Sequence, residues 1–390
     1  MEERLFGASI HLNTSTFGRT DARVRGAVRE FEDCRQYSDF PLAAYTAGRD
    51  LKREAARLAL QLWKADAVAL SASAGGSEAY LRISWLIQES PEFAAQPIRV
   101  VMPLHEHEGA RVPFTEGSRF KVRYLPDDCL SDPGKIAEFI LEQETQVVLI
   151  SEIFYDDCRQ LPMAEILKQL QNRGFGGIFL LDAAQSAGHL PTLTDTTPFS
   201  FPIFQSFSLA KWLQGPWGTS ATLCNRAAVE WLRMHPRRFA NAFDPESPTA
   251  LLEPTGAQDF AKYAGMVALF QRELSGPEPE KLTVESRVQF ADELVSHFTM
   301  KGIHLKRSGE SGARLFSFLF ETSGPAMWDP YPLYVKLNER GLHIKCIKKT
   351  LENGERLWAL RWSLGRHVTA QDLRFASIEV KSALDGGQLP

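Results

Sequence analysis

The apolar positions of this chain change their spacing along its length. In residues 51–64, LKREAARLALQLWK, Leu51, Ala55, Leu58 and Leu62, followed by Ala65, recur at helical intervals. Charges fill the opposite face, which predicts an amphipathic helix. Short apolar runs follow, each closed by polar or glycine residues and then a helix-like stretch. Residues 98–102 (IRVVM), 147–150 (VVLI), 178–181 (IFLL) and 203–207 are predicted strands, with helices over 161–171, 221–235 and 258–273. Buried strands alternating with helices predict an α/β fold built on a mostly parallel sheet. In such sheets ligands sit beyond the carboxyl ends of the strands. From about residue 299 the pattern changes. After a soft stretch at 274–280 and a helix over 284–298, strands are predicted at 315–320, 341–347 and 357–362, with a closing helix over 369–384 capped by Thr369. The expected division is an irregular arm over residues 1–20, a large domain over 21–280 and a smaller α+β domain over 281–390.

Composition narrows the function classes. Of the 390 residues, 44% are apolar and 24% charged, as in a globular protein. The net charge of −4 and the lack of a basic block give no reason to expect nucleic acid. No apolar run reaches signal or membrane-spanning length, so a cytoplasmic protein is expected, with no membrane partner. The five cysteines, Cys34, Cys129, Cys158, Cys224 and Cys346, are scattered without a CxxC pair. Neither structural zinc nor a disulfide framework fits that spacing, and no metal site is expected.

Four features carry candidate chemistry. Lys211 lies just past a predicted strand in SFSLAKWLQGPWG, among apolar residues and glycines. A solvated helix position would also hold a lysine, but an enclosed one favours the deprotonated amine that Schiff-base chemistry needs. Asp182 follows four apolar residues in LLDAAQSAGHLP. A carboxylate there needs a cation or good donors. A protonated pyridine nitrogen would serve, and Gln185 could then donate to a phenolic oxygen or simply stabilise a turn. Gly75, Gly76 and Ser77 precede a helix-like run, where free amides can hold a phosphate, although a glycine pair is also an ordinary turn. His107 could lie against a ring or sit on the surface. Trp212, Trp217, Phe17 and Tyr155 could wall an apolar pocket or serve the core.

In this order, the four features resemble the class V aminotransferase family of fold-type I pyridoxal-phosphate enzymes, most closely its cysteine desulfurase and isopenicillin N epimerase branch. The resemblance runs from LNTSTFG at residue 12 to the terminal helix and is most specific in DAAQSAGHLP and KWLQGPWG. It implies pyridoxal 5'-phosphate as cofactor, with Lys211 as the Schiff-base lysine, Asp182 at the ring nitrogen and Gln185 at the phenolic oxygen. His107 would stack on the ring, and Gly75, Gly76, Ser77 and Ser208 would hold the phosphate. The segment LRWS matches the family's LRIS and makes Arg361 the residue for the substrate carboxylate. Asn13 and Tyr155 are the further substrate-binding candidates. The resemblance also implies a homodimer with its active site at the subunit boundary, where Thr255 would represent a phosphate contact given by the neighbouring subunit.

Several positions depart from the family. Ala210 replaces the histidine before the lysine, His367-Val368 replaces Tyr-Asn, and Tyr155 stands where asparagine is common. Cys346 directly follows Lys345, out of register for a desulfurase nucleophile. The implied course has the substrate amine displace Lys211, which then takes the α-proton while Asp182 supports the carbanion. Elimination or replacement at a C–S bond is the favoured outcome. Transamination, epimerisation and a non-catalytic binding role on the same scaffold are the alternatives.

Overall fold

The computed structural model describes residues 9–34, 39–73, 75–94, 96–190, 199–235, 246–254, 258–276, 281–310, 312–320, 328–350 and 356–385. The chain divides into two compact units, one of residues 1–19, 154–160 and 278–390, the other of 20–153 and 161–277. Strands and helices are numbered along the chain, with β1 (Ile10–His11) in the arm.

The larger unit is built on a seven-stranded sheet. Its strands are β2 (Ala67–Ser71), β3 (Ile98–Pro103), β4 (Phe120–Leu125), β5 (Val147–Ser151), β6 (Ile178–Asp182), β7 (Ile203–Ser208) and β8 (Ser220–Cys224). They lie in the order β2-β8-β7-β6-β5-β3-β4, with β8 antiparallel to both neighbours and every other pairing parallel. The helices are α1 (Ala22–Asp33), α2 (Pro41–Trp63), α3 (Gly76–Glu89), α4 (Glu108–Thr115), α5 (Pro133–Glu142), α6 (Met163–Asn172), α7 (Arg226–Arg233) and α8 (Phe260–Leu274). Alternation along each strand feeds two cores. Ala67, Ala69, Leu149 and Leu180 pack with Ile83, Phe114 and Trp231 on one side. Val68, Leu70, Phe207 and Leu223 pack with Leu58, Trp63 and Met266 on the other. A sheet covered on both faces explains why β5 and β6 are buried at every residue, as their unbroken apolar runs predict.

The helix predicted over 221–235 needs correction. Its first residues form β8, buried throughout, and the helix begins only at Arg226. Asn225 makes the break, since its side chain caps the helix by accepting from the Ala228 N–H and also from the Ile203 N–H. Ser-Ala-Thr-Leu-Cys has no solvated face, so helical and extended readings of its pattern coincide.

The smaller unit holds a four-stranded antiparallel sheet in the order β12-β13-β10-β9, from β9 (Leu305–Ser308), β10 (Leu315–Phe320), β12 (Lys345–Thr350) and β13 (Arg356–Ser363). Helices α9 (Val284–Met300), α10 (Tyr331–Glu339) and α11 (Ala370–Asp385) complete it. Phe316, Phe318, Leu360 and Trp362 pack with Leu294, Phe298 and Val380. The strand predicted over 341–347 divides in two. Residues Leu342–His343 form β11, which pairs in parallel with β1, and β12 begins at Lys345. The arm therefore contributes a strand where irregular chain was expected.

Candidate active site

One edge of the seven-stranded sheet gathers most of the sequence-predicted residues. The register aligns Ser151, Asp182 and Ser206 across β5, β6 and β7, and Ser208, Ser220 and Ser71 across β7, β8 and β2. Because β8 is antiparallel to both β2 and β7, the end of β2 arrives at the same edge as the ends of the parallel strands. The chain runs from β3 outward to β4, then returns past β3 to β5. The crevice between β3 and β5 is thus a topological switch point, where α/β sheets bind ligands.

Asp182 ends β6 and is 7% exposed. Its Oδ1 accepts the Ala184 N–H at 2.8 Å, and among the described residues no cationic side chain pairs with it. Beneath it lies Tyr80, whose hydroxyl is 3.4 Å from the carbonyls of Leu181 and Ser206. Burial, reinforced by the charges of Asp182 and Glu106, holds this phenol well above its usual range, so it stays protonated.

Gln185 is buried in the turn that follows, and its Oε1 accepts the indole N–H of Trp212 at 3.2 Å. Trp212 adjoins Lys211, which is half-buried in the loop from β7 to β8. Bonds from the Leu209 N–H to the Thr219 carbonyl at 3.0 Å and from the Gly215 N–H to the Leu209 carbonyl at 2.8 Å close that loop. A Cβ at Gly215 would come within 2.9 Å of the Leu209 carbonyl, so only glycine fits there.

Gly75 is the N-cap of α3 and offers no side chain to its first amides. Gly76 packs against the end of β7, where an added Cβ would lie 3.7 Å from the Ser208 nitrogen. The Ser208 hydroxyl accepts the Ala210 N–H at 3.2 Å. Ser77 adjoins the start of α4, since a Cβ at Gly109 would meet both the Ser77 hydroxyl and His107 Nδ1. His107 caps α4, its Nδ1 accepting the Gly109 N–H at 3.1 Å, and its ring is exposed. Two carboxylates pin the loop before it. Asp127 holds His105 Nε2 at 3.1 Å, and Glu106 accepts from both the N–H and the hydroxyl of Ser151.

The smaller unit holds the other cluster. Alternation sends Leu360 and Trp362 into the core and Arg361 to the opposite face, in register with Ser317 and Lys345. Arg361 is nevertheless only 3% exposed. Its guanidinium donates to the Tyr155 carbonyl and to the Thr16 hydroxyl, both at 2.7 Å. Its Nε is buried without a partner among the described residues, and burial lowers the Arg361 pKa. Tyr155 contributes its carbonyl here, while its ring packs with Leu319, Ile347 and Ala359. Asn13 reaches the arginine indirectly, its Oδ1 accepting from the Thr16 hydroxyl at 2.7 Å. Thr255 lies outside the described residues.

Sequence reasoning missed Glu152, Thr16 and the hydrogen bond of Trp212. Glu152 directly follows β5, one position past the Ser151 that closes its apolar run, and a carboxylate so near a buried strand end could have flagged it. Its carboxyl is 6% exposed, with Oε2 lacking a partner among the described residues. Burial pushes its pKa up, while the Ser186 hydroxyl pulls it back down. Of the suggested pocket walls, Trp212 is buried, whereas Trp217 and Phe17 are mostly exposed. Among the described residues no cluster of His, Cys, Asp or Glu could hold a metal ion, and no helix is long and apolar enough to cross a membrane.

No protein-family model matches the chain, and no curated protein matches it. Solved structures do. A NifS-like protein is 16% identical, with 97% of this chain and 100% of that one aligned at a TM-score of 0.70. The apo cysteine desulfurase of Thermococcus onnurineus NA1 is 14% identical over 97% of this chain and 95% of that one, at 0.70. A serine palmitoyltransferase from S. paucimobilis with a bound PLP–myriocin aldimine is 15% identical over 96% and 87%, at 0.65. At such identities the likeness is one of fold. The chain has the fold-type I architecture, a large mixed α/β sheet domain followed by a smaller α+β region.

Proposed function

We propose that this chain is a pyridoxal-phosphate-dependent enzyme acting at the α-carbon of an amino acid, with elimination or replacement at a C–S bond as its favoured reaction. The observation that carries the reading is Asp182, a buried carboxylate at the end of β6 with one backbone donor and no cationic partner among the described residues. A buried carboxylate in that state is costly unless a cation completes it. The protonated ring nitrogen of the cofactor is such a cation, and the surrounding edge carries the matching groups. When bound, the cofactor supplies an electron sink for the bond broken at the α-carbon.

The residues divide the remaining work. The uncapped start of α3 at Gly75, Gly76 and Ser77, with the Ser208 hydroxyl, holds the phosphate. Gln185 donates to the ring oxygen, and the exposed His107 ring covers one face. Lys211 carries the cofactor, and its Nζ is the base that takes the α-proton. Arg361 binds the substrate carboxylate, for which its buried guanidinium, held by a carbonyl and a hydroxyl, is suited. Cys158 and Cys346 are poorly suited to carry sulfur on the protein. Burial pushes both Cys158 and Cys346 to about 12, so neither is an activated thiolate. The working enzyme on this reading is a cytoplasmic homodimer.

The test is the visible absorbance of purified protein given pyridoxal phosphate, before and after borohydride. Wild type should show a band that borohydride removes, and Lys211→Ala should show neither the band nor turnover. A panel of sulfur-containing amino acids should release a keto acid, ammonia and a thiol or sulfide. Normal turnover by Lys211→Ala would sink the reading. Loss of the band without eliminated product would transfer the assignment to transamination.

A further inference from the structure

The contact between Trp212 and Gln185 carries an inference that rests on the cofactor reading above. An amide can turn over at little cost in shape and present either its oxygen or its NH2 to a ligand. An indole N–H can only donate. With Trp212 Nε1 at 3.2 Å, the Gln185 oxygen is the atom that must face the indole, so the NH2 is what the amide offers elsewhere. Trp212 is itself held, 2% exposed, with the His189 ring against it at 4.6 Å between centroids. His189 Nε2 in turn contacts the backbone carbonyl of Gln185. The indole N–H thus selects one orientation of the amide, and the His189 ring packs against the indole that selects it.

We propose that Trp212 is a positioning residue that locks Gln185 as a hydrogen-bond donor towards the ring oxygen of the cofactor. An ionised ring oxygen accepts and cannot donate, so a turned amide would repel it. A donor there withdraws charge that would otherwise hold the proton on the neighbouring lysine–cofactor nitrogen. Loss of the lock therefore raises the pH at which that proton leaves.

The experiment is a pH titration of the visible band in cofactor-loaded wild type, Trp212→Phe, Gln185→Ala and the double variant. The midpoint of Trp212→Phe should rise by about half a unit to one unit, the worth of a neutral hydrogen bond. Gln185→Ala should rise similarly, and the double variant no further than Gln185→Ala. Replacing Trp212 by 3-benzothienylalanine removes only the N–H and keeps the bicyclic shape. It should reproduce the Trp212→Phe midpoint, and it decides the matter alone if Trp212→Phe does not fold. A wild-type midpoint in the benzothienyl protein, or a Trp212→Phe shift that adds in full to that of Gln185→Ala, overturns the role of Trp212 while the cofactor reading stands. A wild-type protein with no borohydride-sensitive band overturns both.

Discussion

The end of β6 and the middle of β13 are opposites in charge and alike in predicament. Among the described residues Asp182 is a buried anion held by a single backbone N–H, and Arg361 is a buried cation held by a carbonyl and a hydroxyl. Each is oriented by neutral dipoles and has no salt-bridge partner among the described residues, although the charge of Asp156 lies near enough to favour the Arg361 cation. Buried charges that serve stability alone are normally paired, because burying one ion uncompensated is expensive. Their routes to burial differ. The parallel sheet buries Asp182 simply by ending a strand between helices. The antiparallel sheet sends Arg361 to the face away from its own helices, and burial there comes from the arm and from residues 154–160. The first is a local consequence of sheet topology, and the second needs three distant segments of chain.

That comparison can be broken at either end. The largest effect is expected from Asp182→Asn, which should lower turnover of the loaded enzyme about 30-fold or more, as loss of a buried charge pair does. The same variant should unfold at a higher temperature than wild type without cofactor, because it removes an uncompensated anion. A cofactor-free Asp182→Asn protein no more stable than wild type would show that Asp182 is already compensated. Arg361→Lys comes next. A point charge cannot reproduce the planar fork, so KM should rise about tenfold or more for a carboxylate substrate, with a smaller change in kcat. An equal rise for a substrate analogue lacking the carboxylate would remove Arg361 from the substrate.

A milder effect belongs to the arm. His11 and His367 stack at 5.8 Å, and burial depresses His367 to about 4, with the neighbouring charges of His11 and Arg19 acting in the same direction. A histidine depressed in the fold binds its proton more weakly there than when unfolded. Its contribution to stability is therefore complete above about 6.5, falls as pH drops, and levels off near 4. Thermal unfolding from pH 7 to 4 should follow that course, and His367→Gln should flatten it. The smallest effect is expected from Cys158→Ser and Cys346→Ser, which should leave turnover near wild type. Loss of sulfur release in either would restore a carrier thiol to the mechanism.

How far the sequence could be read follows the same division. The place of Asp182 was legible because a parallel strand buried on both faces leaves an unbroken apolar run, and the polar residue that closes it marks the strand end. Lys211 was placed by the same logic. β8 was not legible, because an antiparallel return strand carries no such end marker and its small apolar residues suit a helix equally well. Arg361 was found through resemblance alone. Between Leu360 and Trp362 the alternation reads as an ordinary solvent-facing arginine, and nothing local announces that Thr16 and Tyr155 cover it. The bond from Trp212 to Gln185 spans 27 residues and two loops, beyond any spacing rule.

The antiparallel strand β8 also sets a timetable. β2 lies at the margin of the sheet, and among the described strands β8 is its one hydrogen-bonded neighbour. Residues 67–71 therefore leave the ribosome long before residues 220–224, the segment they must pair with. Until then the turn at Gly75–Ser77 has no anchored strand behind it and no Ser208 beside Gly76. Such distant pairings form late because the intervening chain must close first. On the proposed function, a nascent chain could not capture the phosphate of its cofactor early. Loading waits until nearly the whole larger unit has been synthesised, and premature truncations before residue 220 should emerge as empty, chaperone-dependent species.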